Sequence, residues 1–137
     1  MPSVAVITGA SSGIGLATTR ALAAAGWTVV ATARRPETAD SLRELAHEVP
    51  EVELRSLDVT GDESVQECIG SILTDRGSID LLVNNAGAGH RGTLEQLTLH
   101  ELSQAMELNF FGVARVTKAV LPAMRAARSG RVVTVTS

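Results

Sequence analysis

An apolar run, Val4-Ala5-Val6-Ile7, ends abruptly in Thr8-Gly9-Ala10-Ser11-Ser12-Gly13-Ile14-Gly15, and a stretch rich in small residues follows at 16–25. No other feature limits the possible folds as strongly. Val and Ile bounded by turn residues read as a buried parallel strand. Glycine allows a tight turn and lets the backbone approach a ligand that a Cβ would hold off. The amides of the next helix's first turn, with the helix dipole, make a site for a pyrophosphate. Strand, glycine turn and helix in this order open a dinucleotide-binding βαβ unit. A purely structural turn is the other reading, and the context on both sides of the glycines speaks against it.

The bulk properties set bounds around this unit. The 137 residues suffice for one domain with a core, and 45% hydrophobic against 20% charged is ordinary for a globular chain. A net charge of −3, with Arg34-Arg35 the one adjacent basic pair, argues against a nucleic-acid partner. No apolar run approaches the ~18 residues of a membrane span. Met1-Pro2-Ser3 leads straight into the first strand, so no signal peptide is expected. With a single cysteine, Cys68, no internal disulfide is available, and a cytoplasmic location is expected. His47, His90 and His100 read as solvated residues, and no His, Cys and carboxylate grouping has metal-ligand spacing.

Further along, a second apolar run at 27–33 follows Gly26, which suits a helix C-terminal cap. It ends in Arg34-Arg35-Pro36. In an NAD-binding unit an acidic residue near this point bonds the ribose 2′-hydroxyl. Two arginines stand there instead, and a guanidinium favours a 2′-phosphate by its charge and its donor fork. The chain is therefore expected to prefer NADP(H) over NAD(H), with Arg34 the first choice of contact and Arg35 the second. Two solvated loop arginines are the alternative. Ser11 and Ser12 add donors for phosphate.

Pro36 suits a helix start, and 41–49 places Leu42, Leu45, Ala46 and Val49 on one face. Residues 52–57 read as an edge strand, and 62–75 as an amphipathic helix with Val65, Cys68, Ile69 and Ile72 inward, so Cys68 is core packing rather than a nucleophile. Gly77-Ser78 breaks this helix before a fourth strand at 79–83. The longest helical stretch, 99–127, carries a wide apolar face of Leu102, Ala105, Met106, Phe110, Val113, Val116, Val120, Leu121 and Met124. Such width suggests a second surface beyond the sheet, and Pro122 is expected to bend or break the helix. Gly130 should end it, and 131–136 should form a fifth strand.

The spacing Thr-Gly-x-x-x-Gly-x-Gly at Thr8 to Gly15, Asn84-Asn85-Ala86-Gly87 after strand four, and Asn109-Phe110-Phe111-Gly112 in the long helix together resemble the short-chain dehydrogenase/reductase family. The resemblance implies an α/β fold with a doubly wound, Rossmann-type parallel sheet of order 3-2-1-4-5. It implies hydride transfer between a nicotinamide and a small-molecule carbonyl or alcohol. Gly9, Ser11, Ser12, Gly13, Ile14 and Gly15 would surround the cofactor phosphates. Asp58 and Val59 would meet the adenine, the carboxylate accepting from its amino group; alternatively Asp58, or Thr60, caps the following helix. Asn85, Ala86 and Gly87 would line the cofactor, with Asn84 tying neighbouring strands together. Asn109 would order a water beside a catalytic lysine, unless it is a surface asparagine. Ser137, by its spacing from Gly130-Arg131-Val132-Val133, matches the serine that polarises the substrate oxygen. Members of the family pair through the long helix, so a homo-oligomer through 99–127 is expected.

The pattern breaks at one point. The family's acid or base is a tyrosine, its pKa lowered by a lysine four residues on. The sequence contains no tyrosine, and its single lysine, Lys118, lies in no Tyr-x-x-x-Lys motif. The 137 residues alone are expected not to turn over. Val132-Val133-Thr134-Val135-Thr136 would also make a poor sheet edge, being apolar and β-branched. The sheet is thus expected to be incomplete at strand five, and the chain to be part of a longer single-domain protein. Two functional readings follow: the cofactor-binding part of an NADP(H)-dependent oxidoreductase, or a non-catalytic NADP(H)-binding regulatory or sensor module. A domain that binds no nucleotide fits the glycine turn and the arginine pair less well.

Overall fold

Five parallel strands form one sheet in the computed structural model, which describes residues 2–89 and 91–136. His90 and Ser137, singled out above, lie outside these residues. The strands are β1 (Val4–Ile7), β2 (Thr28–Ala33), β3 (Val52–Ser56), β4 (Leu81–Asn84) and β5 (Arg131–Thr134), in the order β3-β2-β1-β4-β5. The expected order is the one observed. The crossovers are α1 (Gly13–Ala24), α2 (Asp40–Glu48) after a short 3₁₀ turn at Pro36–Thr38, α3 (Asp62–Arg76), α4 (Leu99–Met106) and α5 (Gly112–Ala127).

Side chains along a strand point alternately to the two faces of a sheet, so each central strand feeds two cores. Val4 and Val6 of β1, Val30 of β2 and Leu82 of β4 pack with Val65, Cys68, Ile69 and Ile72 of α3 and with Val116, Val120 and Met124 of α5. Ala5 and Ile7, Val29 and Ala31, Leu81 and Val83 pack on the other face with Ala23, Leu42 and Leu45. Trp27, half-buried at the start of β2, rests against this second core. The many alanines there let α1 lie close to the sheet and so fix its N-terminus at the end of β1.

The two sheet edges differ. On β3, Glu53 and Arg55 form a network with Asp75 and Arg76 of α3, including an Arg76 Nη2–Glu53 Oε2 pair at 2.6 Å. Charged side chains on an edge discourage pairing with another chain. β5 carries no charge beyond Arg131, and all four of its residues are exposed, with Val132 at 37% and Val133 at 43%.

Two expectations need correction. Pro122 neither breaks nor ends α5; it sits exposed within the helix. The irregularity lies earlier, where Glu107–Phe111 forms a π-helical turn between α4 and α5. Gly130 does not end the helix either. Arg128 takes the left-handed conformation (φ 51°) beyond Ala127, while Gly130 lies against Met124, where a Cβ would come within 2.5 Å of its Cγ. The wide apolar face of 99–127 divides as its width suggests: Val116, Val120 and Met124 are buried, whereas Met106, Phe110 and Leu121 are exposed, as is the neighbouring Phe111.

Burial pushes the Cys68 thiol up to about 11 from an ordinary 9.0. At pH 8 only about one molecule in a thousand then carries the reactive thiolate. Native protein at pH 8 is expected to react with a thiol reagent at least about 100-fold more slowly than unfolded protein. Equal rates would show that Cys68 is not core. The raised folded value also means that its stabilising contribution is complete below pH 9 and is lost as the pH rises toward 11.

Candidate cofactor site

Thr8, at the end of β1 and 1% exposed, organises the carboxyl edge of the sheet. Its hydroxyl accepts hydrogen bonds from the amides of Asn85 (3.0 Å) and Ala86 (2.9 Å), just past β4. The Asn85 side chain donates to the Gly9 carbonyl at 2.9 Å. The ends of β1 and β4 are therefore sewn together by side chains where the ladder bonds stop. Asn85, rather than Asn84, makes this tie. The Asn84 side chain is buried and reaches away from the strands, donating to Thr117 Oγ1 of α5 at 3.0 Å.

All three glycines of the turn are constrained: at Gly9 (φ +63°) a Cβ would come within 2.7 Å of the Ala86 Cα, and the other two differ in how they are held. Gly13 opens α1 at φ +55°, a conformation that strains any L side chain, although no protein atom lies within 4 Å of where its Cβ would be. Gly15 is confined by contact: its Cβ would lie 2.3 Å from the Gly9 carbonyl oxygen and 2.5 Å from Asn85 Nδ2. The helix that starts here begins unlike its neighbours. α2, α3 and α4 each carry an acidic residue in the first turn, and α4 has a full Thr98–Glu101 capping box. α1 has no acid there, and no side chain caps it among the described residues. Its first-turn amides remain available to an anion.

A groove of about 400 Å³ runs across these strand ends, lined by Gly9, Ser11, Ser12, Ile14, Arg34, Val59, Asn85, Ala86 and Gly87, with Ala33, Leu57, Ala88 and Leu108. A second hollow of about 560 Å³ shares Ser11, Ala33 and Arg34 with it and adds Arg35, Thr38, Ala39 and Asp58. Neither the Arg34 nor the Arg35 guanidinium hydrogen-bonds another group among the described residues, whereas those of Arg43, Arg55, Arg76 and Arg115 are all engaged. Asp58 does not cap α3, whose N-cap is Gly61. Its carboxylate accepts from the Thr60 hydroxyl (2.7 Å) and amide (3.0 Å), and these bonds hold its pKa below the ordinary carboxylate value, with smaller help from Arg34 and Arg115.

Asn109 lies in the π-turn, and both ends of its side-chain amide are taken by the backbone of Ala88. Nδ2 donates to the carbonyl at 2.7 Å, and Oδ1 accepts from the amide at 3.0 Å. The side chain thus clamps the loop after Gly87. The bond pair explains an asparagine in mid-helix, although Asn109 lies exposed, as the surface alternative has it.

A family model for short chain dehydrogenases matches residues 3–137. The chain belongs to this family. It is 40% identical to 3-ketodihydrosphingosine reductase of Bacteroides thetaiotaomicron over 136 residues, spanning 99% of this chain and 47% of that protein. A short-chain dehydrogenase from Streptomyces avermitilis superposes with a TM-score of 0.93 at 44% identity, over 100% of this chain and 50% of the other. ElxO, solved with NADP bound, superposes with a TM-score of 0.93 at 28% identity, over 100% of this chain and 56% of its own. The chain spans about half the length of the relatives it matches.

Short-chain dehydrogenases bind a nicotinamide cofactor, and the residues present here suit one. The uncapped α1 amides and the serines offer donors to an anion. The positive φ and open space at Gly13 leave the backbone bare at the turn, and the arginines lie uncommitted at the far end of the groove. The described site residues fall into four groups. Gly9, Ser11, Ser12, Ile14, Arg34, Val59, Asn85, Ala86 and Gly87 line the main groove; Arg35 and Asp58 line the adjoining hollow. Gly13 and Gly15 shape the turn behind it, and Asn109 stands one residue off, holding Ala88. Four residues of the site, Thr8, Leu57, Ala88 and Leu108, have no signal in the sequence that assigns them there. Thr8 stands in the Thr-Gly spacing, which by itself gives it no role. Leu57 and Leu108 look like ordinary core residues until the topology brings them together.

Proposed function

We propose that this chain is the cofactor-binding part of an NADP(H)-dependent oxidoreductase that moves hydride between the nicotinamide and a small carbonyl or alcohol substrate. The observation that carries this reading is the continuity of the groove. It begins at the anion-ready amides of α1, reaches Arg34 and Arg35 at one end, and at the other meets the Asn85-Ala86-Gly87-Ala88 segment held by Asn109. The cofactor supplies the hydride chemistry. The chain's own residues orient it: Ser11, Ser12 and the α1 amides hold phosphate, Arg34 with Arg35 meets a 2′-phosphate, and Asp58 and Val59 receive the adenine.

By family resemblance, Ser137 polarises the substrate oxygen and Asn109 belongs to the proton relay. Its side chain serves the relay by fixing the Ala88 loop. The acid or base must come from a tyrosine outside these 137 residues, so the chain alone binds cofactor without turnover. The exposed Met106, Phe110, Phe111 and Leu121 support pairing with a second copy through the long helix. A cytoplasmic location accords with the lone buried thiol.

The test is a titration of the full chain with NADPH and with NADH. NADPH is expected to bind at least about tenfold more tightly, as an added charge-assisted contact implies. Equal affinities would reject the NADP(H) preference, and no binding of either would reject the site.

A further inference from the structure

Val59 is gripped twice by a single turn of α5. Gly112, the first residue of that helix, lies so close that a Cβ there would come within 2.7 Å of Val59 Cγ2. One turn on, Arg115 Nη1 donates to the Val59 carbonyl at 2.7 Å. The rest of the Arg115 fork is also engaged: Nη2 with Glu107 Oε1 at 2.7 Å, and Nε with Asp62 Oδ1 at 2.5 Å. Its side chain is only 20% exposed.

These partners lie on different elements. Val59 follows β3 and lines the groove; Asp62 opens α3; Glu107 opens the π-turn that carries Asn109. The Asp62 carboxylate is 86% exposed, so that pair contributes little by itself. The inward bonds, to a backbone carbonyl and to Glu107, are the ones that define a position. A planar guanidinium with five donors can satisfy three acceptors in a fixed arrangement, which an ammonium cannot reproduce.

We infer that Arg115 is a positioning residue for cofactor recognition, fixing the Asp58–Val59 segment against the adenine end of the groove and tying it to the π-turn that clamps the Ala88 loop. This rests on the assignment of the groove to a dinucleotide. Arg115 touches no cofactor itself; it acts through Val59 and its neighbour Asp58. Without it the segment keeps its Asx turn with Thr60 but loses the brace that sets its distance from the groove.

The experiment compares NADPH with its hypoxanthine analogue, which has an oxygen where adenine has the amino group facing Asp58. The wild-type full chain is expected to favour NADPH about tenfold, the loss of one hydrogen bond to a charged acceptor. Arg115→Met keeps the aliphatic stem and removes the donors; it should narrow that preference to within about twofold, while Arg115→Lys recovers part of it. General destabilisation would weaken both nucleotides alike and leave the ratio unchanged. A folded Arg115→Met protein with the wild-type ratio would overturn the inference, as would a wild-type chain that makes no distinction. A wild-type chain that binds neither nucleotide would instead defeat the site assignment itself.

Discussion

Gly15→Ala is expected to lower the unfolding free energy by about 3 kcal/mol or more, the upper range for forcing an extra carbon into a packed site. For a chain of this length that is a fall in melting temperature on the order of 10 °C. The added Cβ would lie 2.3 Å from the Gly9 oxygen and 2.5 Å from Asn85 Nδ2, so it strikes both partners of the bond that joins β1 to β4. One of those partners is backbone and cannot swing aside. NADPH affinity should fall with stability, by about 100-fold, because the displaced turn carries the α1 amides. Thermal unfolding with and without NADPH reads both effects.

Gly70→Ala supplies the opposite sign. Gly70 lies within α3, and a Cβ there would meet nothing within 4 Å. Alanine in a helix interior is worth roughly 0.5–1 kcal/mol over glycine, so this variant should be stabilised. If Gly15→Ala melted no lower than wild type, the packing at the glycine turn would be misassigned.

Arg34→Asp should weaken NADPH binding by about 100-fold or more while changing NADH by less than about threefold. The 2′-phosphate would lose a guanidinium and meet a carboxylate. NADH presents only a hydroxyl, which a carboxylate can accept from. The backbone should be little disturbed, since the Arg34 carbonyl is held by the Ser56 hydroxyl at 3.1 Å and its side chain has no bond to lose. Parallel titrations of the two dinucleotides decide the matter. Equal losses would show that Arg34 supports the fold of the loop rather than reading the phosphate.

The parts of this structure that sequence makes legible are the local ones. Val4-Ala5-Val6-Ile7 followed by glycines reports its own strand, turn and helix because every cause lies within a dozen residues. The strand order comes from the same source, as the glycine turn marks the unit and the family resemblance supplies its winding. Long-range partnerships were not legible. Arg115 bonds a carbonyl 56 positions away, and Thr8 accepts from amides 77 and 78 positions away. Neither residue type announces such a role, since arginine on a helix and threonine after a strand are common. Pro122 is the residue type that breaks helices, yet the irregularity lies at Glu107–Phe111, where Asn109 reaches Ala88. A packing demand at the site shaped that helix more than its one proline did.

The position of Trp27 makes the molecule report on itself optically. It is the single tryptophan of these 137 residues, which contain no tyrosine, so their near-ultraviolet emission comes from one place. That place is the amino end of β2, six residues and ~20 Å along the strand from the groove at its carboxyl end. Its environment is the alanine-rich core beneath α1 and α2, remote from Arg34, Asp58 and Asn85. The wavelength of its emission should therefore follow melting of that layer and stay constant as the groove fills, so that folding and ligation can be read separately in one sample.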